Sequence, residues 1–410
     1  MSSPALQRRL GLGDAVVIGL GSMIGAGVFS AFAPAARVAG SGLLLALAAA
    51  AVVAYCNATS SARLAALYPE SGGTYVYARE RLAPFWGYLA GWAFVVGKTA
   101  SCAAMALTFA SYAWPEHARL AAAVGVLALT ALGAGGVQKS AWATRVIVAV
   151  VLAVLVLVVV TCFAGGHAHR PAIGVGTSPH GVLQAAGLLF FAFAGYARIA
   201  TLGEEVRAPA RTIPRAIAVA LGITVVVYAA VAAATLSVLS PLELGAASAP
   251  LRAAVGAGGG DALGPVVRIG GAVAALGSLL ALLLGVSRTA FAMARDRYLP
   301  AGLDAVHPRF GVPQRAELAV GVVVVVLVLT TDLRGAIGFS SFGVLAYYAL
   351  ANASAFTLRA EERRPPRWLP PLGFAGCVVL AFSLPGTSVL SGSAVLALGA
   401  LAYLVSRRRS

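Results

Sequence analysis

The chain alternates long apolar runs with short polar connections. A helix needs about 20 apolar residues to cross a bilayer. Segments of that order lie at 14–36, 41–67, 84–113, 120–136, 143–164, 181–202, 214–239, 265–294, 315–331, 335–357, 369–386 and 390–406. Charged residues fall mostly between these segments. The pattern predicts an all-α membrane protein of about twelve transmembrane helices, with residues 1–410 forming a single domain. The longest exterior connection, 240–264, is rich in glycine and alanine and reads as a flexible cap.

Two of the runs are interrupted. The first carries Gly-Leu-Gly-Ser-Met-Ile-Gly-Ala-Gly-Val-Phe over residues 19–29, with Gly19, Gly21, Gly25 and Gly27 crowded where a span should be most regular. Glycine weakens helix and lets backbone approach a ligand closely. Irregular backbone at membrane depth is tolerated only where it is buried in protein or lines a polar cavity. The sixth run breaks near Phe193-Ala194-Gly195-Tyr196. Interruptions at corresponding places in two halves are the sequence mark of a transporter's substrate site. They imply two five-span halves, 14–164 and 181–357, related by an inverted repeat, with 369–406 adding two helices. The competing reading of the same glycines is close helix packing, as in small-xxx-small pairs.

Composition agrees with the bilayer: 60% of residues are hydrophobic and 11% charged, too few charges to cover a soluble protein of 410 residues. The net charge of +16 does not argue for nucleic acid, because the basic residues are scattered over short loops and not gathered in a stripe beside aromatics. They follow the positive-inside pattern. Residues such as Arg79, Arg81, Arg145, Arg207, Arg211, Arg295 and Arg297 collect on one side. That side is cytoplasmic, with both termini on it. Cys56, Cys102, Cys162 and Cys377 are dispersed through apolar segments and read as small core residues. No catalytic constellation, metal site or cofactor motif is expected. Gly19-Leu-Gly21 followed by Gly25 mimics a dinucleotide fingerprint but lacks the strand and sheet that motif requires.

Five segments together resemble the amino acid–polyamine–organocation (APC) superfamily of permeases, nearest its cationic-amino-acid-transporter-like branch. They are Gly21-Ser-Met-Ile-Gly-Ala-Gly-Val-Phe29, Tyr68-Pro-Glu-Ser-Gly-Gly-Thr-Tyr75, Phe190-Phe-Ala-Phe-Ala-Gly-Tyr196, Glu204-Glu-Val-Arg-Ala-Pro-Ala-Arg-Thr-Ile-Pro214, and Ser287-Arg-Thr-Ala-Phe-Ala-Met-Ala-Arg-Asp-Arg-Tyr-Leu-Pro300 with His307-Pro-Arg-Phe-Gly-Val-Pro313. The resemblance implies the leucine-transporter-type 5+5 fold, broken helices 1 and 6, and alternating access. It implies a substrate site on the backbone of Met23, Ile24, Gly25, Ala26 and Gly27, where the amides of Ala26 and Gly27, helped by Gly25, hold a carboxylate. Carbonyls of Met23, Phe191, Ala192 and Ala194, beside Gly195, would hold an ammonium. The Phe191 ring would close over the substrate. Cys102, with Ser101, Met105, Ser278, Ser340 and Ser341, would line a side-chain pocket, or else simply pack.

The chain departs from the resemblance in one place that matters. Where several relatives carry a carboxylate two residues after the glycine of broken span six, this chain has Ala197 followed by Arg198. A cationic substrate loses its counter-ion, and a neutral amino acid becomes an equal expectation.

Lys98 stands inside the third apolar run, deep enough that snorkelling is difficult. Charge there is costly and is a functional hypothesis by default. Its ammonium is expected to cycle between charged and neutral forms and couple transport to protons; a fixed ion pair or a vestibule lysine is the alternative. Glu204 and Glu205 follow the sixth run as a hinge anchor or inner gate. The expected function is secondary active transport of an α-amino acid across the plasma membrane, coupled to protons. The alternatives are an amino acid/polyamine exchanger, or a channel or receptor. Oligomeric state is not written in the sequence.

Overall fold

The computed structural model describes residues 10–69, 72–136, 141–165, 174, 177–202, 205–362 and 364–407. Glu204, and residues 70 and 71 of the tyrosine-flanked motif, lie outside these. Among the described residues, ten helices are long and apolar enough to cross a membrane. Leu369–Ser383 is a shorter apolar helix, and Gln314–Thr330 has 17 residues. With these two, each of the twelve predicted segments is occupied by helix, with its ends moved by a few residues.

Span one is Leu12–Met23 continued by Ala26–Ser30 and Phe32–Ala39. Span two is Leu43–Leu67, followed by a short helix, Thr74–Arg81. Spans three, four and five are Pro84–Ala113, Ala118–Ala134 and Ala141–Ala164. Span six is Pro179–Phe193, a 3₁₀ turn Ala194–Tyr196, and Ala197–Ala200. Spans seven to ten are Pro209–Val238, Gly264–Arg295, Gln314–Thr330 and Leu333–Phe356. Leu369–Ser383 and Gly386–Arg407 are spans eleven and twelve.

Local chemistry sets many of the boundaries. Proline lacks an N–H and fits the first turn, where that donor has no helical partner; it opens spans three, six and seven. Ser178 caps span six by accepting the Gly181 N–H at 3.0 Å, and Asp332 caps span ten by accepting that of Gly335 at 2.7 Å.

Span three is the pillar of the bundle and packs against spans eight and ten. Where it crosses span ten, a Cβ built on Gly97 would lie 3.2 Å from the Gly343 Cα. Backbone thus meets backbone, the close approach that small residues permit when hydrophobic burial gives no preference for protein over lipid.

The 240–264 connection is not a flexible cap. It folds into two short helices, Pro241–Ala246 and Pro250–Ala257, the first held by a reciprocal box between Ser240 and Glu243. Leu244, Leu251, Ala254 and Val255 are fully buried, so its few apolar residues anchor it to the bundle despite the glycine and alanine around them.

At the other end the chain before span one pairs with the chain after span six. Leu10 N–H donates to the Glu205 carbonyl at 3.0 Å, and Arg207 N–H donates to the Leu10 carbonyl at 2.9 Å. Leu10 and Val206 form this isolated parallel bridge.

Candidate functional site

Span one is interrupted at Ile24 and Gly25, whose backbone angles (ψ 63° and −133°) leave the helical region. Gly25 N–H turns back to the Met23 carbonyl at 2.9 Å, a three-residue loop in place of the helical bond. A new helix starts at Ala26, so the N–H groups of its first turn have no intrahelical partner. Span six is interrupted more gently. Its backbone tightens into a 3₁₀ turn at Ala194–Tyr196 and does not unwind.

The glycines at these breaks are crowded. A Cβ on Gly27 would stand 2.7 Å from the Ala192 Cα, and one on Gly195 only 2.2 Å from the Ser22 carbonyl oxygen. Both glycines let spans one and six touch through their backbones. On Gly25 the added carbon would meet the Ser278 hydroxyl at 1.9 Å, so span eight closes over the break with a side chain.

The carbonyls at the breaks already have partners. Tyr228 of span seven places its hydroxyl 2.5 Å from the Met23 oxygen and 3.0 Å from the Ala192 oxygen. Its one proton serves both, and the phenol joins the two interrupted spans. The Ala194 oxygen accepts from Lys98 Nζ at 3.2 Å and from the Tyr348 hydroxyl at 3.3 Å. Lys98 is 7% exposed. The ammonium that the sequence places in the membrane therefore rests on a carbonyl that the resemblance assigns to substrate.

A cavity of about 490 Å³ begins at these groups. Ser22, Lys98, Phe191, Ala194, Gly195 and Ser278 form its inner end. It runs to the end of the bundle bearing Gly72, Arg79 and Asp296. Ser101 and Met105 also line it. Met23, Ile24, Gly25, Ala26, Gly27 and Ala192 are buried behind its wall, as is Cys102 of span three, which is fully enclosed. Ser340 hydrogen-bonds Ser101 at 2.5 Å, and Ser341 is fully buried beside it in span ten. The side of the breaks away from the cavity is tightly packed. Phe29 and Tyr112 meet edge to face, and Tyr112 donates to the Phe29 carbonyl at 2.9 Å while accepting the Leu251 N–H at 3.3 Å.

Glu205, the described member of the predicted hinge pair, lines the cavity and holds Leu10 through its carbonyl. A second contact joins the wall at the same end. The Tyr75 hydroxyl donates to Asp296, and Arg79 stands 3.8 Å from that carboxylate while lying over the Tyr75 ring. Burial, and then the neighbouring carboxylate, push the Tyr75 phenol well above its usual range and keep it a donor. Tyr228, Tyr348 and the Tyr75–Asp296 pair escaped the sequence reading. For Tyr228 and Tyr348, a phenol inside an apolar run was the available signal, since a buried tyrosine hydroxyl needs a partner.

The family model for amino acid permeases matches residues 10–401. An uncharacterized transporter of Mycobacterium tuberculosis is 68% identical over 404 residues, covering 98% of this chain and 92% of its own length. The branched-chain amino acid permease of Bacillus subtilis is 26% identical, covering 96% of this chain and 87% of its own. Cationic amino acid transporter 7 of Arabidopsis thaliana is 29% identical, covering 91% of this chain and 69% of its own. Twelve helical segments among the described residues, a break in span one and a match along nearly the whole chain lead to one conclusion: this is a multi-pass membrane protein of the amino acid permease family, within the APC superfamily, and a transporter, not an enzyme.

Proposed function

We propose that the protein carries an α-amino acid across the plasma membrane by alternating access, as a secondary active transporter coupled to protons. The observation that carries this reading is the cavity that ends against both interrupted spans, with Lys98 on the Ala194 carbonyl at its inner end. Two five-span halves, 14–164 and 181–357, move against each other as an inverted repeat, and 369–406 adds two peripheral helices. Basic residues gathered around Arg79, Arg81, Arg207 and Arg295 make that end cytoplasmic, so the cavity faces inward. The amides of Ala26 and Gly27 receive the substrate carboxylate once span eight withdraws Ser278 from Gly25. Phe191 covers the substrate, and Glu204 and Glu205 anchor the moving end of span six.

Lys98 is the coupling group. A charged side chain in mid-membrane costs at least about 2.5 kcal/mol by insertion scales, so its charge is retained for a purpose or shed during the cycle. The branched-chain and cationic substrates named for the two distant relatives differ in charge, so kinship leaves the side-chain class open.

Purified protein in proteoliposomes, offered a panel of labelled amino acids with and without an imposed pH gradient, tests the reading. Uptake of at least one amino acid that rises with an inward proton gradient is expected. Accumulation only against a preloaded amino acid or polyamine assigns exchange instead, and absence of any substrate-dependent flux removes transport of amino acids altogether.

A further inference from the structure

The wall of the cavity is unbalanced in charge. Lys98, Arg198 and Arg288 all line it, and none of the three lies within 4.0 Å of a carboxylate among the described residues. Of the two carboxylates in the wall, Asp296 is engaged by Tyr75 and Arg79, leaving Glu205. The Arg198 guanidinium has five donors to satisfy. Its contact with a side chain is to the Thr201 hydroxyl at 3.5 Å, the outer limit of a hydrogen bond. Arg198 is no loop arginine held by solvent: it lies four residues past Ala194 on span six, inside the bundle.

A second observation concerns acceptors. The carbonyls of Met23, Ala192 and Ala194 are engaged by Tyr228, Lys98 and Tyr348. The cavity wall thus offers donors in plenty: the Lys98 ammonium, the Arg198 guanidinium, and the Ser278 hydroxyl, which is 4% exposed and meets no hydrogen-bond partner. A basic side chain entering here finds like charge. A second carboxylate finds complementary charge and unmet donors.

We propose that the substrate is a dicarboxylic amino acid, whose second carboxylate is held between Lys98 and Arg198 while the first rests on the Ala26 and Gly27 amides. Ala194, where Lys98 is bonded, and Arg198 stand four residues apart on span six, about one helical turn, so the two basic groups flank the same stretch of the cavity wall. Arg288 lies ten residues beyond Ser278 on span eight, about 15 Å nearer the cytoplasmic end, where it draws anions toward the cavity mouth. This proposal rests on the amino acid transport reading and names the substrate class of that same site.

Glutamate and glutamine differ in charge at one end and little in shape, so their ratio isolates the effect. Proteoliposomes containing the full chain are offered labelled glutamate, aspartate, glutamine, leucine and lysine, each alone and in competition with the unlabelled others. Wild-type protein is expected to favour glutamate over glutamine by about tenfold or more, the scale of one hydrogen bond to a charged group. Arg198→Gln is expected to bring that ratio close to one, and Arg288→Gln to slow glutamate uptake chiefly at low ionic strength. Wild-type uptake of glutamine, leucine or lysine with no preference for glutamate or aspartate overturns the dicarboxylate assignment and leaves amino acid transport standing. Flux of none of these amino acids removes both. If Arg198→Gln does not fold, the wild-type competition alone decides the matter.

Discussion

Tyr228 donates its hydroxyl to the Met23 carbonyl at 2.5 Å and holds the Ala192 carbonyl at 3.0 Å, so one phenol on span seven ties the break of span one to span six. Its ring is wedged edge to face between Phe32 and Phe193, which fixes where the hydroxyl points. Tyr228→Phe keeps the ring contacts and removes only the hydroxyl. Two buried carbonyls then lose a donor, at about 1–3 kcal/mol for an unsatisfied buried group. The variant is expected to insert normally, melt at a lower temperature in detergent and transport more slowly. An unchanged melting midpoint would show that the bridge contributes nothing to the packed state.

Lys98 sets the expected response to protons. Lys98→Met removes the ammonium from the Ala194 carbonyl while keeping most of the side chain's bulk. Uptake is expected to fall and its remainder to lose dependence on external pH, whereas Lys98→Arg retains charge but not the ability to give up the proton. Initial rates across a pH series measure this. A Met variant with the wild-type pH profile rules Lys98 out as the coupling group.

Three glycines predict an order of severity. Gly27→Ala drives its new carbon against the Ala192 backbone, and Gly195→Ala drives it against the Ser22 carbonyl. Neither obstacle is a flexible side-chain end, so both variants are expected to lose folded protein in size-exclusion chromatography. The obstacle at Gly25 is the Ser278 hydroxyl. Gly25→Ala combined with Ser278→Ala should therefore recover part of what Gly25→Ala loses, while Ser278→Ala restores neither of the other two. Equal severity across all combinations contradicts the side-chain origin of the Gly25 contact.

How much of this was legible beforehand follows from what each feature depends on. The spans were legible because hydrocarbon demands a continuous apolar run wherever a helix crosses it, and the break in span one because glycines at Gly21, Gly25 and Gly27 have little reason to cluster in regular helix. The role of each glycine was not legible, since Gly27 and Gly195 are explained by which helix passes behind them, a fact of tertiary structure. The same holds for Lys98: its depth is written in its neighbours, but its partner is a carbonyl 96 residues away. The 240–264 connection was misjudged from composition, because four buried side chains among glycines and alanines suffice to seat it.

The connection between spans ten and eleven gives a prediction in pH. Glu362 receives a hydrogen bond from Arg81 at the end of the Thr74–Arg81 helix, and the Arg359 N–H donates to its carboxylate at 2.8 Å. The Arg81 contact first, then that N–H, holds the Glu362 carboxyl below its usual range. A carboxyl more acidic in the folded state adds stability above its unfolded value, about 4.3, and that contribution disappears as pH falls through the folded value. Glu362→Gln is therefore expected to melt below wild type at neutral pH and to converge with it under acid. Parallel melting curves from pH 7 to pH 3, with a constant gap, contradict the assignment.

The pairing of Leu10 with Val206 has a mechanical consequence. Two hydrogen bonds yoke the N-terminal stub of the first broken helix to the segment leaving the second, so a tilt imposed on either is handed to the other. Any rotation of the first stub about the Ile24–Gly25 discontinuity would therefore carry the start of span seven's approach with it, as a lever carries its load.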